Sequence, residues 1–261
     1  MALQASGAIS LDDIQAEFGG SNPIALSEYY RGGDYVPDVP RNSSIPISSN
    51  NTGYQSANDD IRVDDFYGTA WGANVEFRIV GGGGGGGGGA YEGRGGAGQG
   101  DGQNGGASSI TEGNTAIVNA SGGGGGGGGD SNTTVGNAGA ATNYGNGGAA
   151  VNEQTNGQSA NQNHYGAGGG GGGGDVDNGK GDSTGYGGNG GGAGQITDGG
   201  PTLYKYGTVF TINLGRNGNG QAINTTGGTG ARSFAQITYD GTTTNWTGGN
   251  GANSYSHTLS N

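Results

Sequence analysis

Side chains able to do chemistry are few in this sequence and poorly placed to do it together. The two histidines, His164 and His257, lie far apart and there is no cysteine, so neither a nucleophile–base pair nor a zinc site is indicated. Carboxylate pairs at Asp12-Asp13 and Asp64-Asp65 could serve acid–base or metal chemistry. No base or further ligand accompanies them, and acids in the first turn of a helix are explained by the helix dipole. The stretch Asp175-Val-Asp177-Asn-Gly-Lys180-Gly-Asp182 alternates hard oxygen ligands around a glycine turn, as a calcium loop does. Lys180 stands where such a loop needs glycine, and no Glu closes it. A solvated turn is the preferred reading there, with Asp175, Asp177 and Asp182 as a weak calcium alternative. Phosphate-cradling glycine loops need a following helix, and no helical pattern follows any glycine run here. The expectation is a protein that is not an enzyme and needs no cofactor.

Recognition chemistry is better represented. Tyr91, Tyr144, Tyr165 and Tyr186 are interspersed with Asn143, His164 and other amide side chains. Tyrosine offers a rigid flat face with a polar tip, and asparagine a donor and an acceptor together, which suits carbohydrate or the outer loops of a surface protein. Asn143-Tyr144 and His164-Tyr165 are the preferred contacts. The competing reading is that each tyrosine packs over the surrounding glycine as a lid.

What must position these residues is glycine. Three uninterrupted runs, bounded by Gly81 and Gly89, by Gly122 and Gly129, and by Gly168 and Gly174, stand out among 70 glycines. Ordering each glycine costs about 1–2 kcal/mol, so something must offset that cost. In a polyproline-II geometry, with three residues per turn and no internal hydrogen bonds, every N–H and C=O points outward. A strand of this kind crowded on all sides would have to be glycine throughout, and the three runs read as hydrogen-bonded neighbours in a bundle. The alternative is flexible linkers, which ordinarily mix serine into such tracts.

Between residues 81 and 200 the large aliphatics are only Ile110, Ile117, Val118, Val135, Val151, Val176 and Ile196. Hydrophobic burial at roughly 25 cal/mol per Å² cannot order such a zone, so it is not expected to form a conventional core. Residues 90–121, 130–167 and 175–200 then become connections that display side chains. Period-two alternation marks three strands: 74–80, with Val75, Phe77 and Ile79 on one face; 206–214, with Phe210, Ile212 and Leu214; and 233–239, with Ala235, Ile237 and Tyr239. Paired together they would clamp the entry and exit of the glycine zone.

Residues 1–73 are a different polymer, with four of the five prolines. Ile9-Ser-Leu-Asp-Asp-Ile14, Ile24-Ala-Leu-Ser-Glu-Tyr29 and Ile61-Arg-Val-Asp-Asp-Phe66 repeat one motif. It reads as an extended step turning into a short helix, with Ser10 as cap, acids in the first turn and glycine at the end. Ile14 and Phe18 then share a face. The net charge of −12 disfavours nucleic acid, and no apolar N-terminal segment reaches the length of a signal peptide or membrane span.

Val75-Glu-Phe-Arg-Ile-Val-Gly81 with the glycine run and Ala90-Tyr-Glu-Gly93, followed downstream by 207–215 and 230–237, resembles the glycine-rich domains of bacteriophage tail proteins. The N-terminal motif is similar to segments that begin phage tail and fibre proteins. A looser similarity, carried by the three runs and their polar connections, is to the polyglycine-rich adhesins at the tips of phage tail fibres, which recognise host receptors through loops. The resemblance implies a virion protein, made in the host cytoplasm, that binds other tail or fibre proteins through residues 1–73. It also implies contact with a host glycan or outer-membrane protein. The lattice can be built within one chain or between symmetric copies, a homotrimer among them. The combined expectation is a mainly β and irregular fold: a polyglycine-II bundle in 74–247 clamped by a small antiparallel β-sheet, a preceding module with short helices, and a tail at 248–261. A purely structural connector or decoration protein is the alternative.

Overall fold

The computed structural model describes residues 2–47, 61–89, 100–128, 138–149, 156–163, 165–169, 188–222 and 225–260. The chain is mainly β. Eight strands form two antiparallel sheets: β1 (Gly72–Val80), β4 (Ile196–Lys205), β6 (Phe234–Tyr239) and β7 (Thr242–Thr247) in the order β4-β1-β6-β7, and β2 (Ser108–Glu112), β3 (Thr115–Ala120), β5 (Val209–Leu214) and β8 (Asn253–Thr258) in the order β3-β2-β5-β8.

The alternation read in β1, β5 and β6 is realised. Val75, Phe77, Ile79, Phe210, Ile212, Leu214, Ala235, Ile237 and Tyr239 are all buried in one core between the sheets. Phe77 meets Phe210 edge to face at 5.2 Å. Three expectations are corrected. The clamp is two packed sheets instead of one, because β5 pairs with β2 and β8 while β1 pairs with β6. The glycine-rich zone does feed a conventional core, since Ile110, Val118 and Ala120 from the β2–β3 hairpin are buried in it. The stretch 248–261, expected as a tail, contributes β8, whose partner is β5 along its full length.

The strands run directly into extended segments that have no regular secondary structure, here termed rods. The run 81–89 continues β1 and is wholly buried. Its backbone bonds repeat every third residue. Gly81, Gly84 and Gly87 donate to the carbonyls of Gln195, Gly192 and Asn189; Gly82, Gly85 and Gly88 to Gly106, Gln103 and Gly100; Gly83 and Gly86 to Ala231 and Gly228. In return the carbonyls of Gly82 and Gly85 accept from Gly123 and Gly126, those of Gly83 and Gly86 from Gly218 and Gln221, and that of Gly84 from Gly169.

Six segments therefore surround the run, and they bond to each other in a closed ring: 100–106 to 122–128, then 188–195, 166–169, 225–232, 215–222 and back to 100–106. Around the ring, up to Gly88, neighbours that accept from the central run alternate with neighbours that donate to it. No room is left for a side chain inside. A Cβ on Gly81, Gly82 or Gly83 would lie 2.0–2.1 Å from the backbone oxygen of Ser121, Arg216 or Ala167 respectively, each in a different neighbour. The rods 100–106 and 188–195 were expected as display connections; they are parts of this ring.

The N-terminal module keeps its own core of Ile14, Phe18, Tyr29, Val36, Ile45 and Phe66. Helix α1 (Leu11–Phe18) starts on a capping box: Ser10 Oγ accepts from the Asp13 N–H at 3.1 Å, and Asp13 Oδ2 accepts from the Ser10 N–H at 2.8 Å. It ends at Gly19, whose φ of 85° suits glycine. The other two motif copies make only 3₁₀ turns, Leu26–Glu28 and Val63–Phe66. Gln15-Ala-Glu extends the first copy with good helix formers, whereas glycine breaks the other two within a few residues, at Gly32-Gly33 and at Gly68.

Arg41 ties this module to the sandwich. It donates to the Tyr206 hydroxyl at 3.1 Å and lies 3.4 Å from the Asp240 carboxylate, to which Tyr206 itself donates. Burial pushes the Tyr206 hydroxyl up to about 12, Asp240 acting in the same direction and Arg41 against it.

Two outcomes are expected. Gly84→Ala places a Cβ 1.9 Å from the Gly124 carbonyl oxygen, whereas Gly124→Ala meets nothing within 4 Å. Thermal unfolding should show a loss of about 3 kcal/mol for the first and less than about 0.5 kcal/mol for the second; equal stabilities would refute the packing described. Because the folded chain holds the Tyr206 proton to higher pH than the unfolded chain, its contribution is full below about pH 10 and lost as pH rises through about 12. Tyr206→Phe should remove that step from an alkaline unfolding profile.

Candidate functional site

Alternation along β1 and β6 that buries one face turns Glu76, Arg78 and Val80, together with Phe234, Gln236 and Thr238, to the other. Register aligns these residues into rows across the sheet. Asp198 in β4 faces Arg78 in β1, Arg78 faces Gln236 in β6, and Gln236 faces Asn245 in β7. The row is bonded at both ends: Arg78 Nε and Nη2 donate to Asp198 Oδ1 and Oδ2 at 2.6 and 3.0 Å, and Gln236 Nε2 donates to Asn245 Oδ1 at 3.0 Å. One row along, Thr238 and Thr243 hydroxyls are 3.1 Å apart.

Hydrogen bonding by Arg78 holds the Asp198 carboxyl below the usual carboxylate range, and Asp198, with a smaller contribution from the Tyr144 hydroxyl, holds the guanidinium above its own. Both side chains are about half exposed, so the pair orients more than it stabilises.

Where the sheet meets the rods, the same face is roofed by aromatic rings. The turn at 142–145 is closed by reciprocal backbone bonds between Thr142 and Gly145 at 3.0 and 3.1 Å, and Thr142 Oγ1 donates to the Tyr165 carbonyl at 2.9 Å. Gly166 follows at a φ of 77°, pressed so closely on Val80 that a Cβ would sit 2.7 Å from its Cγ1. These constraints lay Tyr165 flat on buried Phe234, with ring centres 4.6 Å apart and planes 19° apart, and set Tyr144 edge-on to Tyr165 at 5.4 Å. Tyr144 and Tyr165 both stay partly exposed, and Asn143 beside them is exposed. Farther along the same face lies a shallow groove of about 240 Å³, lined by Glu76, Phe77, Arg78, Asp198, Gly199, Gly200, Gln236 and Thr238.

Of the residues selected from sequence, Tyr144 and Tyr165 are thus brought together, and they pack on the sheet face through Phe234. Tyr91, His164 and Tyr186 lie outside the described residues, as do the run ends Gly129 and Gly174 and the calcium candidates Asp175, Asp177 and Asp182. Gly81, Gly89, Gly122 and Gly168 stand in the rods. Among the described residues no group of three or more His, Cys, Asp or Glu could hold a metal. The carboxylates Asp13 and Asp65 accept from the backbone N–H of Ser10 and Arg62, a helix-entry role. His257 packs against Tyr239 and Trp246 with its ionisation suppressed by burial.

Sequence reasoning passed over Arg78, Asp198, Gln236, Asn245 and Phe234. The signal available was the polar half of the alternation in β1 and β6, used only to find the buried half. Comparison with protein-family models, curated proteins and solved structures gives no match.

The face separates into parts of different weight for stability. Asp198→Asn should change unfolding free energy by less than about 1 kcal/mol. Phe234→Ala should cost about 3–4 kcal/mol and flatten the near-ultraviolet dichroism of the tyrosines packed on it. Comparable losses from both would mean that the ion pair bears structural weight.

Proposed function

We propose that this chain is a bacteriophage tail-fibre or tail-tip protein that binds a host receptor through loops held on a polyglycine-II scaffold. The observation that carries the reading is the ring of six rods around 81–89, with bonds that recur every third residue as a three-residue turn requires. Such a core leaves no side chain free inside, so its use is to hold other residues rigidly. At the end of the run away from the sheets, Gly88 bonds Gly100, Gly87 bonds Asn189, and Gly89 bonds Thr225. On this reading the segments that join the rods supply the receptor contacts, and residues 1–73 attach to other tail or fibre proteins. Preorganisation lowers the entropy lost on binding, and several copies on one particle convert weak contacts into firm adsorption.

A second reading, a structural connector or decoration protein without receptor contact, draws on the flat stacking of Tyr165 upon Phe234, which spends one face of that ring internally.

The test is adsorption of fluorescently labelled protein to a panel of bacterial strains. Saturable binding confined to some strains, weakened about tenfold by Tyr144→Ala, is the expected result. Absence of saturable binding across the panel would favour the connector.

A further inference from the structure

We propose that the groove on the outer face of β4-β1-β6-β7 binds a single neutral hexopyranose unit, with Glu76, Asp198, Arg78, Gln236 and Thr238 as its hydrogen-bonding floor. The assignment rests on the receptor-binding reading above and gives one of its contacts a chemistry.

Size comes first. At about 240 Å³ the groove holds the equivalent of about eight waters of ~30 Å³ each. That is less than the roughly 300–1,000 Å³ of sites for drug-sized ligands and suits one sugar ring with the rest of a chain leaving into solvent.

The lining is polar and mixed in kind. Glu76 and Asp198 only accept, Arg78 and the Gln236 amide nitrogen donate, and Thr238 does both. Adjacent strands set these groups about 4.8 Å apart across the sheet, a spacing over which the hydroxyls around one ring reach several of them at once. The groups are also held in advance: Arg78 by two bonds to Asp198 and by Tyr144, Gln236 by Asn245. A sugar therefore meets fixed partners and does not have to order them.

Charge selects among sugars. The Arg78 guanidinium is balanced by Asp198, and Glu76 forms no ion pair among the described residues, so the groove is net acidic in a chain of net charge −12. Sialic and uronic acids or phosphates are repelled. Neutral hydroxyls, which donate charge-assisted hydrogen bonds to carboxylates, are favoured. Phe77, Gly199 and Gly200 complete the lining, and they give the C–H side of the sugar apolar surface to rest on.

The experiment is a titration of the isotope-labelled full chain with methyl glucoside, methyl galactoside, N-acetylglucosamine and glucuronate up to about 50 mM, above the millimolar range expected of one small site. At least one neutral sugar should shift the Gln236 side-chain amide and Arg78 Nε signals saturably. Glucuronate should bind at least tenfold more weakly. Gln236→Ala should weaken the neutral sugar at least tenfold, and Glu76→Gln should narrow the discrimination against glucuronate. No saturable shift of groove signals with any neutral sugar, or glucuronate binding as tightly as the best of them, overturns the proposal. Adsorption to cells separates the two claims: sugar binding without adsorption to any strain sinks the receptor reading and leaves the groove, while adsorption untouched by Gln236→Ala with no sugar shifts does the reverse.

Discussion

The glycine-rich half of this molecule depends on the backbone hydrogen bonding of nine consecutive glycines, residues 81–89. They are buried without side chains, so hydrophobic transfer contributes little and every N–H and C=O must find a partner or incur about 1–3 kcal/mol. A segment turning once every three residues sends its donors in three directions, and its acceptors in three more. Six neighbours are the number that answers all of them. Described bonds link every adjacent pair in that ring, so each neighbour is fixed by the centre and by the segments on either side.

Such a bundle has an obvious difficulty in starting, since each glycine loses about 1–2 kcal/mol of conformational entropy before its contacts form. The two sheets meet it. β1, β3 and β5 deliver chain to the rods, and β2, β4 and β6 take it back, so a conventional apolar core fixes the spacing and direction of segments that could not select each other. Local hydrophobic packing and long-range backbone pairing are thus divided between two halves of one chain. The Arg41, Tyr206 and Asp240 contact then joins the N-terminal module to the sandwich.

The legible parts of the sequence are those governed by short-range rules. Val75, Phe77 and Ile79 alternate, Ser10 caps, and the runs of glycine announce crowding. The β2–β3 and β6–β7 hairpins carried a signal that went unused. Gly113-Asn114 and Asp240-Gly241 are turn dipeptides between β-prone runs, with φ values of 54° at Gly113, 47° at Asp240 and 75° at Gly241. Low aliphatic content hid them: β2 needs only Ile110 in the core, because the opposing sheet brings the rest. The outer rods carried one too. Gly102 and Gly105, Gly188, Gly191 and Gly194, and Gly227 and Gly230 recur at every third place, and each lies against a carbonyl of the central run. The face turned to the centre must be glycine, whereas some other positions of these three rods hold Asn, Gln or Thr, so the segments look like loops. The Arg78–Asp198 pair was out of reach for another reason. The two are 120 residues apart in sequence, and only the β1–β4 pairing brings them together.

The continuity of strand into rod sets a rule for how such a chain can change in length. In a sheet, a shift of one residue exchanges inside for outside, and two restore it. In a rod, a shift of one turns every later residue toward a different neighbour, and three restore it. An insertion within a strand that is passed on into its rod keeps both registers only in steps divisible by two and by three. A change of any other length keeps both registers only where it falls outside strand and rod.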